Sequence, residues 1–354
     1  MIASRATRLA LLIVGMAACG TATAAALKDD GLGICSPSEE NAADAGPAVP
    51  GAVLLESADG RKLRAAIVLP RGEPKGLVLL LPGAWFPRDD SFVELSAKLA
   101  DRGLASARFE QRCHLRSLAS DTFWDIDAVL AAARKKVGAK PPLFAVGHSR
   151  GAWYIMKGTA GGKLAPARTV FIAGGHEDTG HYDEVAQNAE RPVDALKAKL
   201  RDADAASRPE LEKELAQAEA SRASTLAFLD KLKAGALKDD DTIPGDKPLN
   251  PVAGSPGLPI ETAAQFRSEN DLHDFGARRA FIAKAIPTLL LIGDGDRPHL
   301  KKAMERLAGM FPAGAPMQSR VLPGFDHTLN DPSGHVPDVL ARAIADWFMG
   351  ATAP

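Results

Sequence analysis

Four runs of almost purely aliphatic residues, at 76–81, 143–146, 169–173 and 287–292, constrain the fold of this chain more than any other feature. A strand with one wet face alternates apolar and polar residues. A strand without that alternation is buried on both faces, as in a parallel sheet covered by helices. Helical spacing fills the gaps between the runs. Phe92, Leu95 and Leu99 recur at helical spacing before Gly103. Phe123, Ile126, Val129, Leu130 and Ala133 line one face of a helix that Gly138 ends. Residues 104–109 and 320–322 read as two further strands, and a closing helix carries Val336, Leu340, Ala343, Ile344, Trp347 and Phe348 on one face. Ahead of these, apolar runs at 52–55 and 63–69 flank Asp59-Gly60, a hairpin signal. The expected class is α/β, with a mostly parallel central sheet flanked by helices.

The alternation breaks once. Residues 181–285 contain no strand pattern, so the core divides into 52–180 and 286–354 around an insertion. Within it, 192–206 and 208–233 read as helices with leucine stripes, the second opened by Ser207 with Glu210 three residues on, a capping-box pattern beside Pro209. Residues 239–259, rich in Asp, Pro and Gly, read as a loop.

The first 26 residues have the pattern of a signal for export. Arg5 and Arg8 precede a short apolar run, followed by small residues that offer A-x-A cleavage sites. Met16-Ala17-Ala18-Cys19 also resembles a lipoprotein box, which would place a lipid on Cys19 as the sole membrane attachment. Either way the expected location is periplasmic or secreted. Residues 27–51 read as a linker. Cys35 and Cys113 remain as a disulfide pair or as two free thiols. The net charge of -1, with no basic block, argues against a nucleic-acid partner and favours a small-molecule substrate.

Gly147-His148-Ser149-Arg150-Gly151 matches G-x-S-x-G. The pentad gains force from its place between an apolar strand and an apolar segment able to start a helix. A sharp turn there lifts a serine hydroxyl to the helix N-terminus. A hydroxyl needs a base to become nucleophilic. Of the eight histidines, His327, in the loop after the last short strand, is the best placed. His148 adjoins the serine, and His176 and His181 follow the fourth buried strand; Trp85, His148 and His176 are candidates to line a pocket. The imidazole in turn needs a carboxylate. Gly293-Asp294-Gly295-Asp296 ends a buried strand, with Asp296 preferred to Asp294 on loop geometry and Glu177 or Asp178 as outside alternatives. Backbone N–H donors for an oxyanion are expected from Arg150 and from Ala84 (or Trp85), in the turn Leu81-Pro82-Gly83-Ala84-Trp85.

These motifs resemble the α/β-hydrolase superfamily over residues 52–354. The matching features are the turn at Ser149, Pro82-Gly83-Ala84, the Gly-x-x-Asp from Gly293 to Asp296 and the Pro-Gly-x-x-His ending in His327. The resemblance implies a Ser149, His327 and Asp296 triad, a helical lid at 181–285, no cofactor and no metal. By analogy it implies an ester substrate with an apolar acyl part. Peptidase, thioesterase and acyltransferase activities would use the same residues, and a non-catalytic binding protein on this scaffold is the rival class. Arg150 departs from the apolar residue common after the serine; pairing of its guanidinium with Glu110 is the expectation.

Overall fold

The computed structural model describes residues 51–83, 90–111, 118–175, 181–241 and 262–350. The leader, Cys19, Cys35 and Cys113, the turn residues Ala84 and Trp85, and His176, Glu177 and Asp178 lie outside these residues.

One eight-stranded sheet organises the chain, in the order β1-β2-β4-β3-β5-β6-β7-β8. Strands β1 (Ala52–Glu56) and β2 (Lys62–Val68) form the antiparallel hairpin read around Asp59-Gly60. The turn is held by the Gly60 N–H donating to the Ser57 carbonyl, with Gly60 at φ 83°. Strand β2 then pairs antiparallel with β4 (Ala105–Phe109). Every later pairing is parallel: β4 with β3 (Leu77–Leu81), β3 with β5 (Leu143–His148), and on through β6 (Arg168–Ile172), β7 (Thr288–Gly293) and β8 (Met317–Leu322).

The aliphatic runs behave as double-sided burial requires. Leu77, Leu79 and Leu81 enter one apolar cluster, whereas Val78 and Leu80 enter the other. Residues of β6 and β7 divide the same way, Phe171 and Leu290 to the first cluster, Val170 and Leu289 to the second. The second cluster is closed by α1 (Asp90–Ala100) and by α9 (Asp338–Phe348), whose Phe348 stacks on Phe144 with ring centroids 4.5 Å apart. The first is closed by α2 (Asp121–Val137), α3 (Arg150–Ala160), α7 (Phe275–Ala283) and α8 (Pro298–Gly309).

Between β6 and β7 the described residues form helices joined by turns and irregular segments. Helix α4 (His181–Arg201) and helix α5 (Arg208–Lys233) lie side by side, and α6 (Ala263–Leu272) joins them around Val185, Phe228, Leu229, Leu232, Ala263 and Phe266. Two boundary expectations change. Helix α4 starts at His181 and runs through Pro192. Proline lacks the N–H that would bond one turn back, but burial of Val185 and Val193 on the same helix carries it past the gap. Ser207 does not cap α5 with its side chain; its backbone is helical at φ -83°, ψ -23°. The capping side chain is Asp204, which accepts from the Ser207 N–H at 2.8 Å. Helices α6, α7 and α8 carry no counterpart among the sequence expectations. Helix α7 packs against α3, and its Phe281 reaches the sheet cluster beside Phe171.

Candidate active site

Strand β5 runs directly into α3 through Ser149, whose backbone sits at φ 49°, ψ -120°. A non-glycine residue in that region is strained, and the surroundings must enforce it. They do so by close packing and by hydrogen bonds. The Ser149 N–H donates to the Ile172 carbonyl at 2.8 Å, and the Ser149 carbonyl accepts from the Ala152 N–H at 3.1 Å. A β-carbon added at Gly151 would lie 2.1 Å from the Leu81 carbonyl oxygen, so only glycine lets the helix approach β3 this closely. Arg150 is the first residue of α3, and the leading N–H groups of a helix point beyond its end, carrying partial positive charge.

The turn after β3 reaches the same spot. A methyl group on Gly83 would lie 3.1 Å from Ser149 Cβ and 3.1 Å from His148 Nδ1. Pro82 and Gly83 thus form one wall of the Ser149 turn.

The loops after β7 and β8 meet on the other side. His327 Nδ1 lies 3.2 Å from Asp296 Oδ2, a geometry that suits an Nδ1–H donating to the carboxylate. The second Asp296 oxygen accepts from the Arg297 N–H at 2.6 Å. The Asp296 side chain is fully buried, whereas His327 keeps 18% of its side-chain surface. Burial alone would raise the Asp296 pKa. The His327 hydrogen bond and charge, with the Arg297 N–H, outweigh it and hold the carboxyl below its usual range. Asp294 faces outward and accepts instead from the Gly324 N–H at 3.1 Å. The two loops are locked together: a β-carbon on Gly293 would sit 1.9 Å from the Phe325 carbonyl oxygen. Beyond His327, Leu329 is buried at φ 66°, and Asp326 accepts from the N–H and hydroxyl of Thr328.

His148 completes the cluster. It is 1% exposed, so it lies beneath the surface of the site, its ring 5.0 Å from that of His327. Burial and the neighbouring His327 charge lower its pKa to about 3, against the opposing pull of the His327 backbone and Asp296. It is therefore neutral at any ordinary pH.

Arg150 is buried, with its guanidinium 5.1 Å from the centre of the Tyr154 ring. Glu110 lies 3.7 Å from Arg64, across the β2–β4 pair. Tyr154 lies one helical turn on from Arg150. One buried side chain at the site has no counterpart in the sequence reading: Gln111, two residues past β4, whose Nε2–H donates to the Pro82 carbonyl at 3.0 Å. The signal available was positional, since β4 lies beside β3 and a residue just past its end faces the turn that follows β3.

Residues 78–347 match the family model described as the alpha/beta hydrolase family. The chain belongs to the α/β-hydrolase family. Among solved α/β structures, Est1E from Butyrivibrio proteoclasticus superposes with a TM-score of 0.52 at 13% identity, over 86% of this chain and 100% of that one. A soluble variant of monoglyceride lipase from Saccharomyces cerevisiae, in complex with a substrate analogue, gives 0.52 at 16% identity, over 88% and 99%. A carboxyl esterase from Bacillus coagulans gives 0.50 at 14% identity, over 85% and 98%. At these identities the likeness is one of fold. No curated protein matches the chain by sequence.

Proposed function

We propose that this α/β-hydrolase is a serine hydrolase that cleaves carboxylic esters by two-step acyl transfer. The observation that carries the reading is the backbone of Ser149 at φ 49°, ψ -120°, a strained placement at the mouth of a helix. In this reading Ser149 Oγ attacks the ester carbonyl as His327 takes its proton. Asp296, ionised and buried, fixes the His327 tautomer and stabilises the imidazolium. The N–H groups of Arg150 and Ala84 receive the negative charge that develops on the carbonyl oxygen, each worth about 3 kcal/mol in the transition state. His327 then protonates the leaving alcohol. Water, activated by the same imidazole, releases the acid.

The proposal extends to three further points. The α4–α5 hairpin with α6 serves as a cap over the site, suited to an apolar acyl chain. The leader-like composition of residues 1–26 supports an exported enzyme, either free or held by a lipid on Cys19. The carboxyl esterase and the monoglyceride lipase of similar fold favour esters over amides as the first substrates to test.

A fluorophosphonate probe and a chromogenic ester panel of graded chain length test the reading together. Wild type is expected to be labelled and to turn over esters, and Ser149→Ala to do neither. Equal labelling of Ser149→Ala, or none of either protein, would leave the scaffold as a binding protein.

A further inference from the structure

His327 carries its imidazole on a turn between β8 and α9. Inside that turn the Leu329 N–H donates to the Asp326 carbonyl at 3.2 Å, and the Asp326 N–H donates to the Asn330 carbonyl at 3.2 Å. Asp326 Oδ1 accepts from the N–H and hydroxyl of Thr328. Leu329 follows at φ 66°, a region costly for a bulky side chain. These bonds set the shape of the turn. They do not set its height above the sheet, and a general base works only within hydrogen-bond reach of the proton it takes.

His148 meets the turn from the sheet. Along β5, Phe144 and Val146 enter the second apolar cluster, and strand alternation sends His148 to the same face. Phe325 and Leu329, on either side of His327, enter that cluster too. The His148 ring is 1% exposed, lies 5.0 Å from the His327 ring and hydrogen-bonds the His327 backbone carbonyl. Its own main chain is paired in register, opposite Ile172 of β6. His327 is thus held at two points: Asp296 meets Nδ1 of the ring, and His148 meets the main chain of the same residue.

We propose that His148 is a positioning residue for the general base, anchoring the main chain of His327 so that its imidazole stays within reach of both Asp296 and Ser149. The inference rests on the acyl-transfer reading of Ser149. A reacting group misplaced by about 1 Å can cost on the order of 100-fold in rate. His327 serves acylation and deacylation alike, so both steps slow together and the loss falls on kcat and not on KM.

The test uses the full-length protein with a short chromogenic ester. His148→Phe keeps a ring and removes both nitrogens; kcat is expected to fall about 10- to 100-fold with KM within about threefold of wild type. His148→Asn and His148→Gln carry an amide N–H at different reach, and one of them is expected to restore kcat to within about fivefold of wild type. On a His327→Ala background, His148→Phe is expected to lower the residual rate by less than about twofold, because the anchor has no imidazole left to place. A merely structural role predicts the full loss there as well. If His148→Phe fails to fold, the amide pair decides: one must stand near wild type and the other well below. An unchanged kcat in folded His148→Phe, a loss confined to KM, equal rates in the two amide variants, or an undiminished loss on His327→Ala overturns the inference while the function of Ser149 stands. An active Ser149→Ala in the same assay overturns both.

Discussion

The imidazole of His148 lies 5.0 Å from that of His327, tilted by 51°, so that two rings adjoin where one does the proton transfer in the proposed mechanism. The deeper ring is the one that resists charge. Its pKa is about 3 in the fold against about 6.5 in an unfolded chain. The unfolded state therefore binds the extra proton, and the fold is favoured fully only above pH 6.5.

Stability is expected to fall as pH drops from 6.5 towards 4, with a slope from this one proton of up to about 1.4 kcal/mol per pH unit. His148→Asn removes the proton site. Urea unfolding across that range should show a shallower slope for the variant, and equal slopes would refute the assignment.

The two carboxylates after β7 separate cleanly. Asp296 meets His327 and is buried, whereas Asp294 is exposed and bonds the Gly324 N–H. Asp296→Asn is expected to lower kcat by about 10⁴-fold by favouring the wrong tautomer. Asp294→Asn should leave kcat within a few-fold. Steady-state kinetics on one ester decides between them.

The loops bearing Asp296 and His327 share a contact at Gly293, where a methyl group would meet the Phe325 carbonyl oxygen at 1.9 Å. Gly293→Ala should cost about 3 kcal/mol, at the upper end for overpacking because backbone must move, and should lower kcat as both loops shift. Gly309, near the end of α8, has open space around it. Gly309→Ala is expected to be neutral or mildly stabilising, by about 0.5–1 kcal/mol. Thermal unfolding of the pair makes the contrast.

The start of α5 gives a smaller test. Asp204 accepts from the Ser207 N–H, while the Ser207 side chain makes no cap. Asp204→Ala should lower the melting temperature more than Ser207→Ala, and the reverse order would restore the capping box expected from sequence.

Much of the fold was legible because the buried strands are aliphatic throughout: β3, β5, β6 and β7 could each be read as covered on both faces before any neighbour was known. The pentad around Ser149 pointed to the strand-to-helix turn because it lies between an apolar strand and an apolar segment able to start a helix. The misplaced edges lie where a local signal competes with tertiary packing. Pro192 looks like a first-turn residue, but Val185 and Val193 are buried in one continuous helix. Helix α7 is only nine residues long, and what starts it is Asp274, whose carboxylate accepts from the N–H groups of Gly276 and Ala277. Such a short helix offers little periodicity to read. The Gln111–Pro82 and Arg64–Glu110 contacts were invisible because both depend on which strands are neighbours, and β4 sits between β2 and β3 out of chain order.

Strands β6 and β7 are hydrogen-bonded neighbours, with the hydroxyls of Thr169 and Thr288 3.0 Å apart although 119 positions separate them in the chain. Both ends of the intervening segment are stapled one strand-width apart, so its length is thermodynamically cheap to change: doubling such a loop costs about 0.6 kcal/mol. The α4–α5 part of that excursion can change in length while β6 and β7 stay paired, whereas α7, packed on α3 with Phe281 in the sheet cluster, belongs to the framework that holds Ser149. In the proposed mechanism, the length of that excursion and the placement of the reacting groups are therefore separable properties of the chain.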